Sequence, residues 1–211
     1  MLKIVTVERE YGCGGSEIAQ RLAERLGWKL WDQLLTEEIA HLAHCPQAVV
    51  EQREERTDPL YYRLMKSFMR GSYEGSLNAP KLNLVDSENI LKITQRVVLH
   101  AASKGDCVIV GRGSQHFLSS RPDAFRVFLY ASREHKVRRL LNRGKNEREA
   151  QELVDTVDRE RAGFLEKYFH VVWPDRAIYH VMINTAVGDE TVVQTVVNCM
   201  KSFDSKTNTP T

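Results

Sequence analysis

The chain has 211 residues, of which 42% are apolar and 27% are charged, proportions that are ordinary for a soluble globular protein. This length suits one α/β domain with a sizeable core and a small insertion. Lysine and arginine number 30 against 28 acidic residues, so the net charge of +2 gives no reason to expect nucleic acid as a partner. The four cysteines show no C-x-x-C spacing, and neither a signal peptide nor an apolar run of membrane length is visible. We therefore expect a cytoplasmic protein with reduced thiols and no membrane partner.

A glycine-rich loop lies between the first predicted strand and the first predicted helix. Ile4 to Val7 is a short β-branched run, typical of a strand that is buried on both faces. The loop that follows it ends with Gly12, Cys13, Gly14, Gly15 and Ser16. Glycines let successive backbone N–H groups approach an anion, and Ser16 is expected to cap a helix that closes at Gly27. Because a helix N-terminus has free N–H groups and a partial positive charge, we expect this loop to hold a phosphate.

Two nucleotide-binding patterns can be compared with this loop. On the triphosphate pattern G-x-x-x-x-G-K-[ST], Ser16 supplies the hydroxyl that ligates Mg²⁺, while Gly15 replaces the lysine and Arg9 the first glycine. On the dinucleotide pattern G-x-G-x-x-G, Glu17 replaces the third glycine and would face the pyrophosphate. Asp32, however, has the spacing of the carboxylate that binds a ribose in that pattern. We expect a triphosphate and keep a dinucleotide-dependent oxidoreductase as an alternative.

Short strands and helices alternate along the rest of the chain. Strands are predicted at Lys29–Trp31, Cys107–Val110, Phe125–Tyr130 and Ala177–Asn184, and helices at Ser87–Lys104, Arg133–Asn142, Glu147–Phe169 and Asp189–Phe203. A helical pattern from Thr36 to Arg70 and a Gly-, Ser- and Pro-rich stretch up to Leu84 indicate an insertion, and Ser205 to Thr211 indicates a disordered tail. Five strands separated by helices predict a parallel sheet with helices on both faces.

Two charged residues follow the ends of predicted strands. Since the carboxyl ends of parallel strands form the ligand-binding edge of a sheet, Asp32 is either a ligand-binding carboxylate or the cap of the next helix. Arg112 lies between Gly111 and Gly113, directly after a buried strand, where packing does not explain an arginine. Its planar guanidinium suits a phosphate or a carboxylate.

Two of the predicted helices carry further charged candidates. Arg139 and Arg143 are four residues apart, so they point the same way and could spread the charge of a transferring phosphoryl group. Asp155, Asp158 and Arg161 recur every three residues on one helix face. Such a face is either a substrate-binding face or a surface ladder of ion pairs.

Cys13 has surroundings that predict a reactive thiol. It lies between two loop glycines beside a helix N-terminus, which lowers the pKa of a thiol and favours the thiolate. We therefore expect its modification to block nucleotide binding and to be slowed by ATP.

Together these motifs resemble the cytidylate kinase-like branch of the P-loop nucleoside monophosphate (NMP) kinases. The matching segments are Arg9–Ala19, Trp31-Asp32, Cys107–Gly113, Phe125–Ser132, Asp155–Arg161 (D-x-x-D-x-x-R) and Ile183–Thr185. The resemblance runs over nearly the whole chain and implies an α/β, P-loop NTPase-type three-layer fold with a five-stranded parallel sheet. It also implies one domain with core segments 1–35, 86–143 and 176–204, a helical NMP-binding insertion at about 36–85 and a lid at about 144–175.

The chemistry that the resemblance implies is phosphoryl transfer from ATP, with Mg²⁺, to a nucleoside monophosphate such as CMP or dCMP. The residues implied in catalysis are Arg139, Arg143 and Arg161; those implied in acceptor binding are Asp32, Arg112, Asp155, Asp158 and Arg161. The residues implied beside the adenine are Asn184 and Thr185.

The chain departs from typical cytidylate kinases at three positions. The loop lysine, an aspartate after the glycine-flanked arginine, and an arginine four residues before Asp158 are replaced by Gly15, Gly113 and Val154. Arg9 or a lid arginine would then have to supply the missing loop charge. A CMP/dCMP-type kinase is the leading hypothesis. The alternatives are a kinase of another small acceptor and a nucleotide-binding regulatory module without turnover, and the sequence does not indicate an oligomeric state.

Overall fold

The computed structural model describes residues 1–32, 34, 35, 38, 39 and 87–207 of the chain. Most of the predicted insertion at about 36–85, and residues 208–211 of the predicted tail, lie outside the described residues. The strands are β1 (Ile4–Arg9), β2 (Lys29–Trp31), β3 (Cys107–Val110), β4 (Ala124–Tyr130) and β5 (Val181–Asn184). The helices are α1 (Gly15–Leu26), α2 (Ser87–Lys104), α3 (Ser114–Phe117), α4 (Arg133–Asn142), α5 (Glu147–Phe169) and α6 (Asp189–Thr207). Single 3₁₀ turns lie at Arg176–Ile178 and Thr185–Val187.

The five strands form one parallel sheet with β1 at its centre. Their order is β2-β3-β1-β4-β5, so β1 pairs with β3 on one side and with β4 on the other. This confirms the predicted α/β architecture with a five-stranded parallel sheet. Because the strands are parallel, the segments that follow β1, β2 and β3 meet at the same edge, where such folds bind their ligands.

Helices cover both faces of the central strand. Val5 and Val7 pack in the core that β1 shares with α1 and α6, whereas Ile4 packs in a second core with α2. Burial on both faces is the reason that β1 begins with a continuous apolar run. The strand is thereby held rigidly, and it fixes the position of the loop that follows.

Two strand boundaries differ from the prediction. β1 continues to Arg9 because its partner β4 remains paired with it as far as Leu129. β5 begins at Val181 and not at Ala177, since the Asp175 carboxylate accepts a hydrogen bond from the Ala177 N–H at 3.1 Å and caps a 3₁₀ turn there.

The C-terminal helix is longer than predicted. α6 extends to Thr207, so the first residues of the predicted tail are helical. The Ser205 hydroxyl donates to the Ser202 carbonyl at 2.9 Å, and the Asp204 carboxylate accepts from the Leu2 N–H at 2.7 Å. The short helix α3 was not predicted at all. Across the described residues, no helix is both long enough and apolar enough to cross a membrane.

Candidate active site

The loop between β1 and α1 is shaped by two left-handed glycines. Gly12 and Gly14 have φ values of 77° and 85°, and α1 begins directly after Gly14. Gly14 is therefore the N-cap of α1, with no side-chain cap, and the prediction that Ser16 caps the helix is wrong. Because no side chain caps it, the N-terminus of α1 fits an anion, as other helix N-termini do.

The hydroxyl of Ser16 is the group in this loop that fits a metal. Its oxygen is buried and has no hydrogen-bond partner among the described residues, an unfavourable state that a ligand would relieve. Within the described ranges, no three His, Cys, Asp or Glu side chains form a metal site of their own. The glycine loop, the start of α1 and this hydroxyl therefore fit a magnesium ion that is held mainly by the phosphates of a nucleotide.

Arg9 occupies the space beside Gly15. It is 3% exposed, and a β-carbon built on Gly15 would lie 2.6 Å from Cγ of Arg9 and 2.7 Å from its Cβ. Its guanidinium continues past Gly111 and lies 3.9 Å from the carboxylate of Asp32. Asp32 follows β2, as predicted, and is 6% exposed. Arg9 is thus a buried strand residue whose stem fills the place that the side chain of the usual loop lysine would need.

Arg112 is held in a backbone conformation that arginine rarely adopts. Gly111, Arg112 and Gly113 all have positive φ, at 65°, 63° and 68°, and Gly113 is the N-cap of α3. A non-glycine residue in this region carries strain, which persists at sites where the surrounding structure imposes it. The turn delivers the Arg112 side chain, 3% exposed, to the same sheet edge as Arg9.

A narrow cleft at this edge brings three arginines together. It is lined by Glu8, Arg9, Arg112, Arg161, Phe164 and Leu165. Burial lowers the pKa of Arg112 to about 10, and repulsion from Arg9 and Arg161 acts in the same direction, while Asp32 opposes it. Burial, and then repulsion from Arg161, likewise lowers the pKa of Arg9. Because three guanidinium groups converge in it, the cleft fits an anion.

The structure separates the three charged residues that were predicted to share a face of α5. Asp155 is exposed and receives two hydrogen bonds from Arg133, at 2.9 and 2.8 Å, on the outer side of α4. Asp158 is turned inward to the loop after β1, where it accepts from the Tyr11 N–H at 2.7 Å. Arg161 is buried, lines the cleft and donates to the Arg9 carbonyl at 2.8 Å. Asp155 therefore lies outside the cleft.

Arg139 and Arg143 lie beside the loop but are already engaged by carboxylates. Arg139 donates two hydrogen bonds to Asp189, at 2.9 and 2.8 Å, and its guanidinium lies against Gly14. Glu17 forms ion pairs with both arginines. The expectation that these two arginines point the same way agrees with this geometry, and a nucleotide phosphate would compete with Glu17 for them.

Asn184 and Thr185 connect β5 to α6. The Asn184 side-chain oxygen accepts from the Ala186 N–H at 3.0 Å and caps the 3₁₀ turn. Thr185 is 1% exposed, and its hydroxyl has no hydrogen-bond partner among the described residues. Asp189, the partner of Arg139, is the first residue of α6, which follows this turn. The turn is therefore linked through Arg139 to the loop between β1 and α1, which we call the phosphate loop.

The expectation of a reactive Cys13 is wrong. Its thiol is completely buried and donates to the Leu129 carbonyl at 3.6 Å. Burial, reinforced by the charge of Asp158, raises the pKa of this thiol to about 12, and the loop backbone and nearby arginines compensate only in part. Proximity to the start of α1 does not lower the pKa here because desolvation is the larger effect.

Cys13 should therefore resist alkylation in the native protein. Iodoacetamide at pH 8 should modify the half-buried Cys199 in the native protein, and Cys13 only after unfolding, as peptide mass spectrometry would show. Because the pKa of Cys13 rises from 9.0 to about 12 on folding, its contribution to stability is intact below pH 9 and is lost as the pH approaches 12. Equal labelling rates for the two cysteines in the native state would contradict this assignment.

Sequence reasoning missed Lys136 and Asp189, and it considered Glu17 only on the dinucleotide pattern and not as a partner of the arginines. Lys136 packs on Gly12 and is ion-paired with Asp158 and Glu10, whereas Glu17 and Asp189 hold the two arginines of the loop. Lys136 lies three residues before Arg139 on the same helix. This spacing puts the two side chains on the same face, and it was the signal in the sequence that could have placed Lys136 beside the loop.

The central strand β1, the glycine loop and the helix α1 that follows it identify the structure as a P-loop kinase fold. An uncharacterized protein from Eubacterium ventriosum has a similar structure, with 22% identity over 97% of this chain and 99% of that chain and a TM-score of 0.66. The shikimate kinase of Bacteroides thetaiotaomicron is 15% identical over 95% of this chain and 99% of that chain, with a TM-score of 0.53. The shikimate kinase of Acinetobacter baumannii, in complex with shikimate, is 16% identical over 96% of this chain and 94% of that chain, with a TM-score of 0.50.

The family follows from the sequence itself. The model of the cytidylate kinase-like family matches residues 4–187, and the chain belongs to this family. This confirms the resemblance that the motifs indicated. No curated protein sequence matches the chain significantly.

Proposed function

We propose that this protein transfers the terminal phosphoryl group of ATP to a nucleoside monophosphate, with CMP and dCMP as the first candidates and Mg²⁺ as the metal. The observation that carries the proposal is the position of the arginine cleft. Arg9, Arg112 and Arg161 converge beside the loop that follows β1. A loop for one polyphosphate next to a buried cationic cleft for a second anion is the arrangement that phosphoryl transfer between two nucleotides requires.

On the ATP side, the charge of the absent loop lysine would come from Arg9. The loop N–H groups and the start of α1 would hold the phosphates, and the Ser16 hydroxyl would hold Mg²⁺. Arg139 and Arg143 would neutralise further phosphate charge on release from Glu17. Asn184 and Thr185, in the turn before α6, would lie beside the adenine.

On the acceptor side, Arg112 would grip the monophosphate. At pH 7 its guanidinium is charged in both the folded and the unfolded chain, so its burial lowers the stability of the protein without a ligand. A dianionic phosphate would relieve this cost by pairing with the guanidinium through two parallel hydrogen bonds. The site therefore gains stability when the acceptor binds.

The mechanism needs little covalent chemistry from the protein, because positioning and charge neutralisation account for most of the rate of phosphoryl transfer. ATP would supply the phosphoryl group, and Mg²⁺, held with the help of the Ser16 hydroxyl, would neutralise part of the phosphate charge. Arg112 and Arg161 would orient the attacking oxygen of the acceptor, and Arg9 would lie between the two substrates. Phe164 and Leu165 line the cleft, and their apolar side chains would limit the access of water to it.

One observation favours a second acceptor class. Asp158, which the family resemblance implies in binding of the acceptor nucleotide, accepts hydrogen bonds from Tyr11, Lys136 and Arg161, and Asp155 is on the outer surface. A cytosine amino group would have to displace one of these donors. A small acidic acceptor that needs no base recognition is therefore the second candidate.

An ADP-release screen with ATP and Mg²⁺ tests the proposal. The acceptors are all common nucleoside monophosphates and a set of small hydroxy acids, with inorganic phosphate as a control. Turnover that is highest with CMP or dCMP supports the first candidate, and turnover with a hydroxy acid alone supports the second. A wild-type protein that binds ATP but releases no ADP with any acceptor is a nucleotide-binding module, which overturns the proposal.

Thermal melts give an independent measure of nucleotide binding. ATP and Mg²⁺ at about 100 times the Kd should stabilise the native state by about 2.7 kcal/mol. No shift with ATP at any concentration would contradict the assignment of the phosphate loop.

A further inference from the structure

A buried network of charges joins the phosphate loop to α4 and α5. The Lys136 ammonium lies 3.0 Å from the carboxylate of Glu10 and 3.1 Å from that of Asp158. Asp158 also accepts from the Tyr11 N–H at 2.7 Å and from Arg161 at 3.2 Å. Each residue of the segment Arg9–Glu10–Tyr11 thus has a hydrogen bond or ion pair with a side chain of α4 or α5.

These contacts act on the backbone of the loop and not only on its side chains. Arg161 donates to the Arg9 carbonyl at 2.8 Å, and Asp158 accepts from the Tyr11 N–H. One residue later, a β-carbon on Gly12 would lie 3.3 Å from Cβ of Lys136, so α4 is packed directly against the loop. The first half of the loop is therefore held from outside, by two helices that follow it by more than a hundred residues.

A second ion pair between the same two helices serves as a comparison, because it joins the helices without contact to the described residues of the loop. Arg133 and Asp155 are bonded one turn away, with side chains 49% and 47% exposed, and among the described residues neither forms a hydrogen bond or ion pair with the loop. Lys136 and Asp158 are 10% and 15% exposed. Burial of the Lys136 ammonium disfavours its charge, but Asp158 and Glu10 outweigh that effect and raise its pKa. Such an internal charge is retained at a cost, and helix pairing alone does not require it.

We propose that Lys136 and Asp158 are positioning residues that hold the first half of the phosphate loop in its anion-binding shape, so that nucleotide affinity depends on α4 and α5. The expected effect on nucleotide affinity rests on the proposed function, in which this loop binds ATP. It gives Asp158 a role different from the recognition of a base. Arg161 extends the connection to the acceptor, since the same guanidinium contacts Asp158, the Arg9 carbonyl and the cleft.

Hydrogen–deuterium exchange of the full-length protein without nucleotide tests the structural half of this proposal. In Asp158→Ala the Tyr11 N–H loses its acceptor, so exchange in peptides that cover residues 9–15 should be about tenfold faster or more, the factor for a loss of about 1.4 kcal/mol. Lys136→Met, which leaves the acceptor in place, should give a smaller increase. Arg133→Gln breaks only the outer ion pair and should exchange like the wild type.

Calorimetric titration with ATP and Mg²⁺ tests the consequence. Asp158→Ala and Lys136→Met should weaken ATP binding by about tenfold, while Lys136→Arg, which keeps the charge, should recover part of the loss. The melting temperatures show whether each variant is folded. If Asp158→Ala is not folded, Lys136→Met provides the test in its place. Wild-type exchange in the loop of folded Asp158→Ala or Lys136→Met would overturn the inference. A wild-type protein that turns over no acceptor would overturn the proposed function instead. The exchange comparison would still test whether Lys136 and Asp158 hold the loop.

Discussion

Gly15→Lys, which restores the lysine of the usual triphosphate loop, is expected to weaken ATP binding and to lower activity. A β-carbon at this position would lie 2.6 and 2.7 Å from Cγ and Cβ of Arg9. Those atoms belong to the stem of a buried strand residue and cannot move aside as the end of a flexible side chain would. Overpacking of this kind costs about 1 to 3 kcal/mol, and the new ammonium would also lie near the Arg9 guanidinium. Thermal melts and the ADP-release assay measure both effects.

The double variant Arg9→Ala/Gly15→Lys separates crowding from chemistry. Removal of the Arg9 stem opens the space that the lysine needs, so the double variant should bind ATP more tightly than either single variant. Gly15→Ala is the matched control, because it adds the β-carbon without a charge and should destabilise the protein in the same way. A single Gly15→Lys variant that gains activity would show that the native loop lacks a charge that Arg9 does not supply.

Much of the fold could be predicted because short patterns in the sequence determine it. The run CVIV at Cys107–Val110 is apolar throughout because β3 is covered on both faces, and it forms a strand with these bounds. α4 and α5 also have the predicted bounds. Each begins after a polar residue that caps it, Ser132 for α4 and Asn146 for α5.

The partners of the site residues could not be predicted in the same way. Glu17 and Arg143 are 126 positions apart, and no short-range pattern relates them. Asp155 and Asp158 look equivalent in the sequence, but three residues on a helix leave a rotation of about 60° between them. That rotation places one carboxylate in solvent and the other against the loop.

Burial was the second source of error. The apolar run predicts that β1 ends at Val7, although Glu8 and Arg9, charged residues of kinds that are rarely buried, are buried and paired within the sheet. Cys13 was assigned a low thiol pKa from its place beside α1, and complete burial reverses the direction. In both cases the local pattern was identified correctly, and the protein environment had the larger effect.

Arg112→Gly is expected to lower acceptor affinity or the rate of transfer by about tenfold or more, because a charge-assisted hydrogen bond is worth about 1.5 to 3 kcal/mol. ATP binding should change little, since the phosphate loop is a separate element. Initial rates with both substrates varied, together with ATP titrations, measure the two effects. Arg121→Ala is the matched control, because it removes an arginine of the surface pair with Asp123 and should leave the acceptor KM unchanged.

The stability of two Arg112 variants gives this prediction a second, independent readout. Both Arg112→Gly and Arg112→Ala remove a buried charge, but position 112 has a φ of 63°, which glycine adopts without strain and alanine does not. Arg112→Gly should therefore be the more stable variant by about 1 kcal/mol, and both should lose the stabilisation that CMP or inorganic phosphate gives the wild type. Arginine at this position carries both the backbone strain and the burial of its charge, and under the proposed function a bound anion would offset them. An Arg112→Gly protein that keeps its acceptor KM, its kcat and its thermal response to CMP would remove Arg112 from the active site.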